Sequence, residues 1–123
     1  MIQANELRLK NWVQDRDEYL QVVALDNDNA IVQDPNIKMT YELSKLSGIP
    51  LTHAILEAAG FENEDMHDLG VRIYTPISTE TDYCLSFVNG TIWLEEHDTG
   101  AKYVHQLQNL YYSLTQTELQ IKL

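Results

Sequence analysis

Four stretches carry side chains whose type and spacing suit chemistry. Asp26-Asn27-Asp28-Asn29 opens like a calcium loop. Ala30 and Ile31 then occupy the positions where such a loop needs a ligand and a glycine, and Ile37 stands in place of the closing glutamate. A hairpin turn is the better reading. Glu95-Glu96-His97-Asp98 gathers three carboxylates and an imidazole, but neighbours on a strand point to opposite faces, so at most two converge. His53 and Glu57 are four apart, the spacing of an ordinary surface pair on a helix. Cys84, the sole cysteine, has Glu95 as its expected cross-strand neighbour, and a carboxylate there raises a thiol pKa. No Gly-rich phosphate loop or nucleophile elbow occurs. Asn89-Gly90-Thr91 matches a glycosylation acceptor, yet a tight turn explains it without secretion. These readings assign no catalytic residue, no metal and no cofactor, and the chain is read as not an enzyme.

The charge is more informative. The 123 residues carry 8 basic and 19 acidic side chains, a net charge of −11. Such a balance argues against direct binding to a nucleic-acid backbone, which needs clustered Lys and Arg. A hydrophobic fraction of 44% is enough to build a core. The length suits one domain, 1–123. No apolar run is long enough to span a membrane, and the start lacks the basic and apolar regions of a signal peptide. A single cysteine fits a reducing cytoplasm. The acidity is uneven: residues 1–50 have a balance of −3, residues 51–100 of −9, and residues 101–123 of +1. Glu62, Glu64, Asp65 and Asp68, with Glu95, Glu96 and Asp98, are the candidate partner-binding acids. Trp93 is the candidate anchor, since Trp is enriched among energetic hot spots. A solvated surface and second-layer core packing are the plainer explanations for these acids and for the indole.

The elements that would position these residues follow from periodicity. Strands are expected at residues 7–14, 19–25, 30–33 and 39–43, with Asp26–Asn29 as a turn. A short helix should begin after Thr52 as N-cap and stop at Gly60, lying with its largely apolar surface on a sheet and Phe61 beside it. Residues 69–74 suggest another strand, ended by Pro76. Asn89-Gly90 between two β-prone runs, 82–88 and 91–96, predicts a two-residue hairpin. That turn places Val88 opposite Thr91, Phe87 opposite Ile92, Ser86 opposite Trp93 and Leu85 opposite Leu94. Tyr83, Leu85, Phe87, Ile92 and Leu94 then form a core face, with Trp93 and Glu95 on the other. Residues 103–114 show a helical stripe of Tyr103, Val104, Leu107, Leu110, Tyr111 and Leu114. The opposite side, including His105, Gln106, Gln108 and Asn109, has no formal charge, and either solvent, the rest of the chain or a second chain would cover it. Leu119, Ile121 and Leu123 alternate as a last strand would. The expected class is α+β, with antiparallel strands and hairpins packed against two α-helices.

The run from Tyr103 to Thr115, with Glu118-Leu119, resembles a family of small uncharacterised proteins encoded by phages and mobile elements of Bacteroidetes-type bacteria. Ala4-Asn5-Glu6-Leu7-Arg8 with Asn11-Trp12-Val13, and Ile49-Pro50-Leu51-Thr52 with Gly60-Phe61, match the same pattern. Members often carry a glycine just before the Asn11 position and another after the Thr115 position. Lys10 and Gln116 stand there in this chain, which argues against tight turns. The resemblance implies a phage or prophage origin and transfers no catalytic residue.

Together these features lead to a phage-encoded binding protein that blocks a host factor with a basic, nucleic-acid-holding surface, as CRISPR-Cas effectors have. The partner expected is a host protein, with no direct nucleic acid and no membrane. The alternative is an accessory or self-assembling protein of the phage or mobile element, motivated by the uncharged helix face and the Tyr111-Tyr112 pair.

Overall fold

A computed structural model of the chain describes residues 2, 4–16, 18–26, 28–34, 37–66, 71–76, 85–88, 90–94, 97–116, 118–121 and 123. The protein is α+β, with nine strands in two antiparallel sheets and two α-helices among the described residues. The chain groups into two compact units. One comprises Met1–Ile49 with Tyr103–Asn109, the other Pro50–Lys102 with Leu110–Leu123.

The first unit is a meander of β1 (Trp12–Asp15), β2 (Glu18–Leu25), β3 (Asn29–Asp34) and β4 (Ile37–Glu42), each paired with the next. Alternation sends Val13, Leu20, Val22, Ala30 and Val32 to one face, where Leu7, Leu43 and Leu46 join them in the core. The turn expected at Asp26 is present: its Oδ1 accepts from the backbone N–H groups of Asp28 and Asn29 at 2.9 and 2.8 Å. Its carboxyl is held below the ordinary range by those same bonds. Leu43, expected to end a strand, instead opens a short 3-10 turn, Leu43–Lys45.

The strand expected at residues 7–14 begins only at Trp12. Ala4–Glu6 forms a 3-10 turn, Leu7 is buried and Leu9 is 52% exposed. Between them the chain doubles back, with Arg8 N–H on the Asn11 Oδ1 at 2.7 Å and Lys10 at φ 75. Tight turns therefore do occur at both places where the sequence holds a bulky residue instead of glycine, since Gln116 is left-handed too, at φ 59. Left-handed backbone is unfavourable for residues with a Cβ.

The second unit holds α1 (His53–Ala58), then β5 (Phe61–Met66), β6 (Val71–Pro76), β7 (Leu85–Val88), β8 (Thr91–Leu94) and β9 (His97–Ala101) in one sheet in that order. Thr52 caps α1 as expected, its Oγ1 accepting from Ile55 N–H at 3.2 Å, and Gly60 follows at φ 91. Leu56 is buried, whereas Ala54 and Ala58 face solvent, so α1 is covered on one side only. The β7–β8 register is the one the hairpin predicts, from Val88–Thr91 to Leu85–Leu94, with Phe87 and Ile92 buried. Two strands, β5 and β9, join the sheet where no strand is expected. The strand expected at 119–123 is absent: among the described residues there Leu119 and Ile121 are buried without entering a ladder.

Helix α2 (Val104–Thr115) forms close to the expected 103–114. It buries His105 and Gln108 of the uncharged face along with Val104 and Leu107 of the stripe, while Tyr103 is exposed. Gln106 Oε1 accepts from the Tyr103 N–H at 3.3 Å, half of a capping box.

Candidate functional site

The sheet of the second unit sets the acidic residues in rows. Glu64 pairs with Ile73, Ile73 with Ser86, Ser86 with Trp93 and Trp93 with Asp98. Paired residues of antiparallel strands share a face, so one row crosses all five strands and contains Glu64, Trp93 and Asp98. Glu62 is two residues before Glu64 on β5 and belongs to the same face. Asp65 pairs with Arg72 and falls in the adjacent row, that of Phe87 and Ile92, on the other face. Asp68, Glu95 and Glu96 lie outside the described residues, as does Cys84, so the proposed Cys84–Glu95 neighbourhood does too.

Trp93 is half-buried and Asp98 exposed. The Asp98 carboxylate is held in place by Gly100, whose N–H donates to its Oδ1 at 2.9 Å. The register shifts between Ile92 and Trp93, and Thr99 braces that irregularity by donating its hydroxyl to the Ile92 carbonyl at 2.6 Å. The acid beside the indole thus sits on a fixed piece of backbone. His53 packs edge-on to Phe87, ring centroids 5.1 Å apart at 85°, which accounts for it by ring packing. Among the described residues, no three His, Cys, Asp or Glu side chains group as metal ligands would.

The uncharged face of α2 has a different use. Asn11, His105 and Gln108 are buried at 0%, 1% and 2% exposure. Gln108 Oε1 accepts from Trp12 N–H at 2.8 Å, and its Nε2 donates to the Lys10 carbonyl at 3.2 Å. Asn109 Oδ1 accepts from Arg8 Nε at 2.8 Å and from Asn11 Nδ2 at 3.0 Å, and its Nδ2 donates to the Glu6 carbonyl at 2.8 Å. All these groups belong to the first unit. Gln108 and Asn109, in the part of the face that suggested a second chain, are engaged within that unit and clamp the turn ahead of β1. Periodicity hid this arrangement, because the helix stripe records apolar residues only. The available signal was the uncharged amide pair itself in so acidic a chain.

His105 sits beside that clamp, its ring stacked on Tyr103 with centroids 5.9 Å apart. Its Nε2 lies 3.6 Å from a Glu6 carboxylate oxygen, and among the described residues neither ring nitrogen has a hydrogen-bond partner. Burial pushes its pKa below the ordinary value of 6.5, against the opposing pull of Glu6.

A cleft of about 780 Å³ in the first unit is lined by Asp15, Arg16, Glu18, Tyr41 and Lys45. Sequence reasoning singled out none of these residues. Burial, then the charge of Asp15 and its bond to the hydroxyl, then the charge of Glu18, raise the Tyr41 hydroxyl above 10. Two carboxylates offset two cations there, so the cleft has no net charge preference. No helix among the described residues is long and apolar enough to cross a membrane. Compared with protein-family models, curated proteins and solved structures, the chain matches none.

Proposed function

We propose that the chain is a non-catalytic binding protein, a phage-encoded inhibitor that engages a basic surface of a host protein which itself handles nucleic acid, a CRISPR-Cas effector being the class in view. The observation that carries the reading is the pairing of Trp93 with Asp98, in the row that also contains Glu64. A large indole with an acid paired beside it on the edge strand suits a partner that sets a cationic group next to an apolar pocket. The balance of −9 across residues 51–100 supports it further, because a dense negative field speeds encounter with a positive groove. Substituting Glu64→Lys and Asp98→Asn together removes the acids of that row and keeps the Oδ1 that Gly100 N–H bonds. The double variant should abolish capture of the host partner and leave the melting curve nearly unchanged. Undiminished capture would remove this surface from consideration.

A further inference from the structure

The first unit's sheet has two edges, and they are treated differently. On β1, Trp12 N–H is taken by Gln108, and Gln14 exchanges backbone bonds of 2.9 Å with Ser47. That edge is covered. On β4, Leu43 N–H donates back to the Asp28 carbonyl at 3.0 Å, next to the Asn29–Glu42 pair. Successive residues of an antiparallel strand turn their backbone groups to alternate sides. Met39 and Tyr41 therefore bond toward β3, and Lys38, Thr40 and Glu42 turn theirs outward. Among the described residues nothing bonds to that outward side, and all three side chains are exposed. An uncovered edge of this kind is a template for another strand.

We propose that β4 pairs antiparallel with β4 of a second copy of this chain, about a two-fold axis at Thr40. The strand reads Ile37-Lys38-Met39-Thr40-Tyr41-Glu42, and this register makes it self-complementary. Thr40 faces Thr40 of the second copy and the two exchange backbone bonds. Lys38 falls opposite Glu42, and Glu42 opposite Lys38, so both ends close on opposite charges. Met39 meets Tyr41 on the core-side face, extending it. Ile37 is the most exposed large apolar side chain among the described residues, at 59%, and it opens the strand where the second copy would cover it. On the other sheet, self-pairing of the edge strand β5, with Glu62, Glu64 and Asp65, would set acids against acids. Isologous pairing of one patch with itself is the commonest way to form a closed dimer. This proposal goes beyond the acidic-surface reading and uses a different unit.

The test is sedimentation of the full chain from about 1 to 500 µM, because a single strand pair makes a small, weak interface. The chain should self-associate reversibly within that range. Lys38→Glu and Glu42→Lys should each weaken association about tenfold by placing like charges opposite. The double variant should recover it, and an equimolar mixture of the two single variants should form a mixed dimer. The Thr40 and Glu42 amides should become protected from hydrogen exchange as concentration rises. A monomer at every concentration overturns the proposal. So does association that ignores both charge reversals.

Discussion

Gln108 donates from its side-chain amide to the carbonyl of Lys10, 98 residues earlier in the chain and 3.2 Å away. The same amide accepts from Trp12 N–H, so one side chain satisfies a left-handed turn on both sides. Buried backbone groups need such partners, and no ladder reaches the Lys10 carbonyl from this side. The clamp is therefore what lets a strand begin at Trp12 straight after a turn.

Replacing Gln108 by Leu removes both bonds and leaves a buried N–H and a carbonyl with one fewer partner. The Lys10 carbonyl keeps the Gln21 side-chain amide at 3.1 Å, so the expected loss is about 1–3 kcal/mol, the cost of one unsatisfied group. Urea unfolding followed by circular dichroism measures it. Asn109→Leu should behave similarly, since it strips partners from Arg8, Asn11 and Glu6 at once.

Lys10 and Gln116 occupy left-handed backbone at φ 75 and 59. A Cβ there costs about 1–2 kcal/mol, and the larger chain entropy of glycine returns part of it. Lys10→Gly and Gln116→Gly should each raise stability by roughly 0.5–1 kcal/mol. Lys10→Ala keeps the Cβ and should give no such gain. Thermal melts of the three variants separate backbone strain from loss of the lysine charge.

How much of this was legible in the sequence depended on whether the signal was local. The hairpin register around Gly90, the Thr52 cap and the Asp26 turn all rest on a few adjacent residues, and each appears as expected. β5 and β9 did not show because Glu62-Asn63-Glu64-Asp65 and His97-Asp98-Thr99-Gly100 lack the apolar alternation that marks a half-buried strand. Pairing with neighbours makes them strands, so tertiary context overrides propensity. Leu119 and Ile121 show the converse, alternating and buried yet outside any ladder. For the candidate surface, the acids and Trp93 were visible, but the row joining Glu64, Trp93 and Asp98 needed the register of strands that the sequence conceals.

His105 gives the fold a pH dependence of definite sign. Its pKa is lowered in the folded chain, chiefly by burial, so the unfolded chain binds the proton more readily. Its contribution to stability is complete above the unfolded value near 6.5 and is lost as pH falls through the folded value. The melting temperature should fall as pH drops below about 6.5, ahead of the ordinary carboxylate range. His105→Phe keeps a ring to stack on Tyr103 and removes the titration. Subtracting its curve from that of the natural chain should isolate a step in that window, and parallel curves would rule the residue out.

Gly48 is fixed by closeness, not by dihedral. A Cβ built there would come within 2.5 Å of Tyr103 Cγ and 2.9 Å of Tyr103 Cβ. Those atoms lie at the root of the side chain, next to the backbone that starts α2, where Val104 N–H is also bonded to the Ile49 carbonyl at 2.9 Å. The ring cannot swing away without moving that anchored backbone. Gly48→Ala should therefore cost about 1–3 kcal/mol by overpacking. Truncating the neighbour in a Gly48→Ala, Tyr103→Ala double variant removes Cγ and leaves only the Cβ approach, so it should be less destabilised than the two single losses added together. A double-mutant cycle by urea unfolding reads that coupling directly. Strict additivity would mean that the two residues do not press on each other in the folded chain.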